Sequence, residues 1–275
     1  MKTFRRLLQF YLDASIHVGL AVSSLYYVTL EKLNISFDFW YAIFLWSATI
    51  VGYNFIKYGV EARKYILVST PHHRTIQLFS FIVGFLAFYV LFVYVDTQLY
   101  LPLCILAVIS ALYAIPFLPR AKNLRSLGGV KIFLVALVWA GFTLWIPILA
   151  ECKVFDLTIL WLFLQQLVLV LVLLIPFEIR DLKYDALELR TLPQRFGIAK
   201  TKQIGYGLLL FYVLLALIER RVSTIGYWQD VLWIFLLFLA LFFTRIQQKN
   251  NYAALWVEAI PIVMALFTML YKSAL

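Results

Sequence analysis

Residues 157–177 read LTILWLFLQQLVLVLVLLIPF, a run without a single charge. A helix rises about 1.5 Å per residue, so a run of this length spans roughly 30 Å, the thickness of a bilayer's hydrocarbon core. The apolar residues are consecutive rather than alternating, which excludes a strand of a closed membrane barrel. Charges crowd in directly behind it: Glu178, Arg180, Asp181, Lys183 and Asp185. This one stretch therefore predicts a membrane-crossing helix with a charged end at which chemistry can sit.

Eight further apolar segments can be drawn, at 10–30, 38–54, 76–95, 99–117, 128–149, 203–219, 228–244 and 252–271. Of the 275 residues, 64% are hydrophobic and 14% charged, and the mean hydropathy is +0.90. A soluble domain carries about 45–50% apolar residues, because its surface must be wetted. A soluble enzyme, a disordered tail and a nucleic-acid binder are thereby excluded. The expectation is one all-α, polytopic membrane domain over 1–275, with nine transmembrane helices. Pro102, Pro116, Pro147, Pro176 and Pro261 fall in or beside these segments, where neighbouring helices tolerate such breaks. The basic start, Met1-Lys2-Thr3-Phe4-Arg5-Arg6, resembles that of a signal peptide. No small-x-small cleavage site follows, so it is read as part of a retained first helix.

The net charge of +10 is explained by where the cations lie. Nineteen of the 24 Lys and Arg residues fall in one set of alternate connections; only Lys32, Lys153, Arg220, Arg221 and Lys272 fall in the other. The positive-inside rule then places the N-terminus in the cytoplasm and the C-terminus outside, here of a bacterial cell membrane. Cys104 and Cys152 have no CxxC spacing and no histidine cluster, which argues against a zinc site or a disulfide framework. The inner connections 55–75, 118–127 and 178–202 are long and polar, the outer ones mostly short.

If the helix continues through residue 185, Glu178, Asp181 and Asp185 share one face, at i, i+3 and i+7. Asp181 and Asp185 at that spacing can offer Mg2+ the hard oxygen ligands it prefers, with phosphate oxygens and water completing the shell. Arg180, Lys183, Arg190 and Arg195 can meet the remaining phosphate charge. The competing reading is a solvated, mixed-charge helix end whose acids are balanced by basic neighbours.

The stretch continues through Arg190-Thr191-Leu192-Pro193 to Gly197. Taken together, Asp181-Leu182-Lys183-Tyr184-Asp185, the basic residue, Thr-Leu-Pro and the glycine resemble the second aspartate-rich motif of the UbiA family of intramembrane prenyltransferases. The resemblance implies a nine-helix fold with a cytoplasmic N-terminus and polar loops after helices two, four and six. It implies an isoprenyl diphosphate held through Mg2+ between two acidic motifs. Departure of the diphosphate leaves an allylic carbocation, which a lipophilic, often aromatic or quinone-precursor acceptor attacks. Cations stabilise the leaving group and a water-poor chamber protects the carbocation. The implied partners are the diphosphate, the acceptor and the lipid bilayer, with no nucleic acid.

Elsewhere the chain departs from that pattern. The first motif, N-D-x-x-D-x-x-x-D, aligns with Asn54 through Ala62, and its aspartate positions hold Phe55, Tyr58 and Ala62. Asn54 and Glu61, seven apart, either furnish one weak metal site or are polar groups at a helix end. Lys57 offers a fixed positive charge in place of a metal. The family's Tyr followed four residues later by Lys reads Tyr113 and Phe117, with Arg120 and Lys122 nearby. Arg74 matches a phosphate-binding arginine. His72 and His73 are read as interfacial. The expected site is Asp181 and Asp185 as catalytic, metal-holding acids supported by Glu178 and Glu61. Asn54, Lys57, Arg74, Arg120, Lys122, Arg180 and Lys183 are the expected substrate contacts. The alternatives are an inactive isoprenoid-binding relative and a transporter. The near absence of charge at the helix centres disfavours the transporter.

Overall fold

The computed structural model describes residues 2–58, 71–114, 130–151, 156–185, 189–218, 224–248 and 251–274. Among these there is no strand. The α-helices are α1 Lys2–Asp13, α2 Ile16–Leu33, α3 Phe39–Tyr58, α4 Pro71–Tyr94, α5 Tyr100–Ala114, α6 Lys131–Ala140, α7 Ile146–Ala150, α8 Leu157–Asp181, α9 Leu192–Ile218, α10 Thr224–Phe243 and α11 Ile260–Ser273. A π-helical turn, Gly141–Trp145, joins α6 to α7, and another, Tyr252–Val257, leads towards α11.

Seven stretches are long and apolar enough to cross a membrane: Phe39–Tyr58, Pro71–Tyr94, Lys131–Ala150, Leu157–Asp181, Leu192–Ile218, Gly226–Phe243 and Tyr252–Ser273. α2 and α5 coincide with the other two apolar segments but fall short of that mark. The chain is an integral, multi-pass membrane protein. Its outer faces show this directly. On α4, Phe81, Ile82, Phe85, Phe88 and Phe92 form a stripe with helical spacing, and Phe85 is 82% exposed. A stripe so apolar and so bare is soluble only in lipid. Trp40 stacks on Tyr94 at one end of the bundle, 3.8 Å between centroids, as in an interfacial aromatic belt.

The first apolar segment is corrected by the structure. It begins at Ile16, not at residue 10. Ser15 sits in the left-handed region, φ 60°, and separates α2 from α1. α1 carries Arg5, Arg6 and Asp13 among its apolar residues, a pattern suited to lying along an interface rather than crossing it. Phe4 and Leu7 are exposed, while Phe10 meets Phe79 edge to face at 5.7 Å.

Neighbouring helices pack in a ring. α2 lies on α3, α3 on α4, α5 on α6, α6 on α8, α8 on α9, α9 on α10 and α10 on α11, and α11 closes back onto α2. Lipid offers apolar surface as good as a leucine's, so close packing and polar contacts between helices hold such a ring together. At Gly19 a side chain would meet Trp46 and Ile50 of α3 at 3.0 Å, so α2 and α3 need that glycine for their close approach. The π turns release backbone carbonyls that neighbours use. Tyr41 Oη donates to Phe142 O at 2.7 Å. His17 Nε2 donates to Leu255 O at 3.0 Å, leaving Nδ1 to accept from Tyr11 Oη at 2.7 Å. Such side-chain bonds make π turns and prolines tolerable in a span. Pro176 lies inside α8, and its carbonyl accepts from Gln248 Nε2 at 3.1 Å, tying that helix to the segment after α10.

Candidate functional site

α8 ends at Asp181, and Leu182–Asp185 form a turn. The backbone N–H groups of Tyr184 and Asp185 both donate to Asp181 O at 2.8 Å. The expectation that Glu178, Asp181 and Asp185 share one helix face is therefore corrected, because Asp185 has left the helix. The turn is anchored from the motif's far end. Gln194 Nε2 donates to Asp185 O at 3.1 Å, and its Oε1 accepts from the Thr191 N–H at 2.9 Å. Thr191 O in turn accepts from the Arg195 N–H at 3.0 Å, opening α9. Gly197 stands at φ 75°, ψ 165°, a backbone region essentially reserved for glycine. The Thr-Leu-Pro-Gln-Arg-Phe-Gly segment thus fixes the shape of the loop that presents Asp185.

The acids are then sorted by their cations. Lys131, the first residue of α6, places Nζ 2.9 Å from Glu178 Oε1 and 3.3 Å from Asp185 Oδ2. Glu178 and Lys131 are both largely buried. A lysine between two carboxylates satisfies charges that would be costly to bury alone. Asp181 is held separately: Arg180 Nε and Nη2 donate to its two oxygens at 2.7 and 3.1 Å, a bidentate pair. Arg180 also lies 5.0 Å over the Phe177 ring. The carboxylates that share Lys131 are Glu178 and Asp185.

This end of the bundle holds a cavity of about 1050 Å³. Lys57 and Arg180 line it, with Arg5 of α1 and Arg245 from the segment after α10. From α1 it takes Arg5, Leu8, Gln9, Leu12 and Asp13, the i, i+3, i+4, i+7, i+8 face of one helix. Phe243, Tyr252, Leu255 and Trp256 supply apolar wall. Lys57 Nζ rests on neutral oxygens, Ser15 Oγ at 2.9 Å and Leu12 O at 3.4 Å. Glu258 lies close enough for Lys57 and Arg180 to act on its charge. Asp13 Oδ2 instead lies at hydrogen-bond distance from His72 Nε2, at 3.0 Å.

The remaining expected residues divide. Asn54 is buried and bridges Ala14 O and Ser80 Oγ through Nδ2, at 3.0 and 2.9 Å. It ties the α1–α2 break to α3 and α4 rather than facing the cavity. Lys183 lies over the exposed Tyr184 ring at 4.7 Å, and neither Lys183 nor the exposed Arg74 lines the cavity. Glu61, Arg120 and Lys122 lie outside the described residues. Sequence reasoning did not single out Lys131, Arg245 or Arg5 as site residues. Lys131's acidic partners are 47 and 54 positions away in the chain, and no local pattern announces such a contact. Arg5 alone carried a signal, through its spacing with Leu8, Leu12 and Asp13.

The donor set as described does not fit a divalent metal. Among the described residues no group of three or more His, Cys, Asp or Glu side chains is placed to hold one. The gap between Glu178 and Asp185 is filled by the ammonium of Lys131, and Asp181 is engaged by Arg180.

Comparison with known proteins defines the fold. Solved structures share this arrangement of apolar helices. The solved structure of a UbiA homologue from Archaeoglobus fulgidus superposes with a TM-score of 0.63 over 96% of this chain and 99% of its own, at 13% identity. The same homologue bound to DMAPP and Mg2+ gives 0.60 over 97% and 99%, at 14% identity. A digeranylgeranylglyceryl phosphate synthase gives 0.52 over 97% and 96%, at 15% identity. No protein-family model and no curated protein sequence matches the chain. The described residues have the UbiA fold.

Proposed function

We propose that this protein is a membrane prenyltransferase, moving an isoprenyl group from an allylic diphosphate to a lipophilic acceptor. The supporting observation is a chamber of about 1050 Å³ on a UbiA fold, with Lys57 and Arg180 in its wall. On the same reading the N-terminus and the chamber face the cytoplasm, where the cation excess lies. The A. fulgidus homologue solved with DMAPP and Mg2+ has this fold.

The residues suit the chemistry. Lys57 and Arg180 stabilise charge building on the leaving diphosphate. Asp181 acts as a positioning residue, holding the Arg180 guanidinium by its bidentate contact. Glu178 and Asp185 fix Lys131 at the edge of the same end of the bundle. The allylic C–O bond breaks with its electron pair leaving on the diphosphate. The acceptor then bonds to the allylic carbon and gives up a proton to the diphosphate or water. Tyr252, Phe243 and Trp256 offer π-faces to the cation and exclude water.

The test is diphosphate release and prenyl transfer by purified protein in lipid nanodiscs, across allylic diphosphates of graded length. Release that falls on the order of a hundredfold in Arg180→Gln supports the reading. A second reading, a non-catalytic isoprenoid binder, draws on the replacement of the first motif's aspartates by Phe55, Tyr58 and Ala62. It predicts saturable diphosphate binding with no release.

A further inference from the structure

We propose that the chamber binds its diphosphate through side-chain cations alone, with Lys131 standing where a divalent metal would bridge the carboxylates. This rests on the prenyltransferase reading for the identity of the anion, but its argument is one of charge and geometry.

A metal-dependent diphosphate site needs free carboxylates converging on one point, because Mg2+ takes hard oxygen ligands from protein and phosphate together. Here the carboxylates on the second motif are already spent. Glu178 and Asp185 converge on Lys131 at 2.9 and 3.3 Å, and Asp181 is taken by Arg180 at 2.7 Å. A metal entering between Glu178 and Asp185 must expel a largely buried ammonium, which is costly in a medium of low dielectric constant. The sequence changes run the same way. Phe55, Tyr58 and Ala62 occupy the positions at which the resembling motif carries aspartates, and Lys57 lies among them.

The chamber wall is accordingly cationic. Arg5, Lys57, Arg180 and Arg245 line it, against the single carboxylate of Asp13 among the described lining residues. Glu258, near Lys57 and Arg180, offsets part of that charge from within the bundle. Lys57 is supported by neutral oxygens only 2.9 and 3.4 Å away, so its ammonium is held in place without being neutralised by those contacts. Arg180 is oriented by Asp181 through two of its nitrogens and retains further N–H donors for an anion. Two oriented cations and two exposed ones, Arg5 and Arg245, can meet a diphosphate's charge without a metal.

The experiment uses the full chain in lipid nanodiscs and inorganic pyrophosphate as probe. Calorimetric titration is run in EDTA and again with excess magnesium. The expected result is binding in EDTA within about threefold of that with magnesium, and loss on the order of tenfold in Lys57→Met and in Arg180→Gln. Mn2+ titration followed by electron paramagnetic resonance is expected to show no saturable site in the native protein, with or without pyrophosphate. Lys131→Met, which frees Glu178 and Asp185, is expected to gain one. Should that variant fail to fold, the native titrations still decide. Binding that vanishes in EDTA and returns with magnesium overturns the proposal, as does saturable Mn2+ binding by the native chain. The function itself fails differently: pyrophosphate binds in EDTA, yet no allylic diphosphate is turned over in either medium.

Discussion

The bundle buries a lysine among acceptors at both of its ends, and the two clusters differ in one respect that matters. At one end, Lys32 Nζ reaches Gln165 Oε1 at 2.5 Å and Asp230 at 3.1 Å. Tyr212 Oη and Gln165 Nε2 add donors to the same Asp230 oxygen, at 2.7 and 3.3 Å. Gln166 links onward to Thr29 and Thr143. The space beside this network is only about 30 Å³. At the other end, Lys131, Glu178 and Asp185 form a similar knot, but Lys57 and Arg180 beside it open onto about 1050 Å³. A closed network spends its hydrogen bonds on joining α2, α8, α9 and α10. An open one keeps capacity for a ligand. Burial of charge marks both ends, and free volume separates structure from function.

The sharpest way to break this contrast is a pair of substitutions. Arg180→Gln is expected to weaken pyrophosphate binding about tenfold and turnover about a hundredfold, with little change in thermal stability, measured by calorimetry and diphosphate release. Lys32→Met is expected to do the reverse. It strands Asp230 and costs about 3 kcal/mol of stability in detergent unfolding, while folded protein binds pyrophosphate as before. Equal effects of the two on binding would dissolve the distinction. Gly197→Ala comes next, at about 1–3 kcal/mol, because φ 75° with ψ 165° strains any side chain even though its Cβ would meet open space. Loosening the loop that carries Asp185 should show as faster hydrogen exchange across 182–197. The smallest effect is expected from Arg5→Gln. Arg5 is exposed on the interfacial helix, so pyrophosphate affinity should fall by about threefold or less and lose part of its salt dependence.

The helices were legible because each apolar run must be as long as the bilayer is thick. The run at 157–177 lies wholly inside α8, and 38–54 and 76–95 each overrun α3 and α4 by a single residue. What hydropathy could not see were breaks made by backbone geometry. The turn at Ser15 separates an interfacial helix from a buried one, and an averaged apolar count passes over it. The Asp181–Asp185 spacing was legible as a motif and misread as a helix face, since helical periodicity is silent on where a charged helix ends. Arg180 and Lys57 were readable as cations near an acidic motif. Lys131 was not, because its role arises from the packing of α6 on α8.

The decisive measurement is a structure of the protein with a non-hydrolysable allylic diphosphate analogue, obtained in EDTA. The diphosphate is expected between Lys57 Nζ and the Arg180 guanidinium, the prenyl tail against Phe243, Tyr252 or Trp256, and Lys131 still bridging Glu178 and Asp185. A diphosphate seated elsewhere, or seated only when magnesium has displaced Lys131 from those carboxylates, would contradict this expectation.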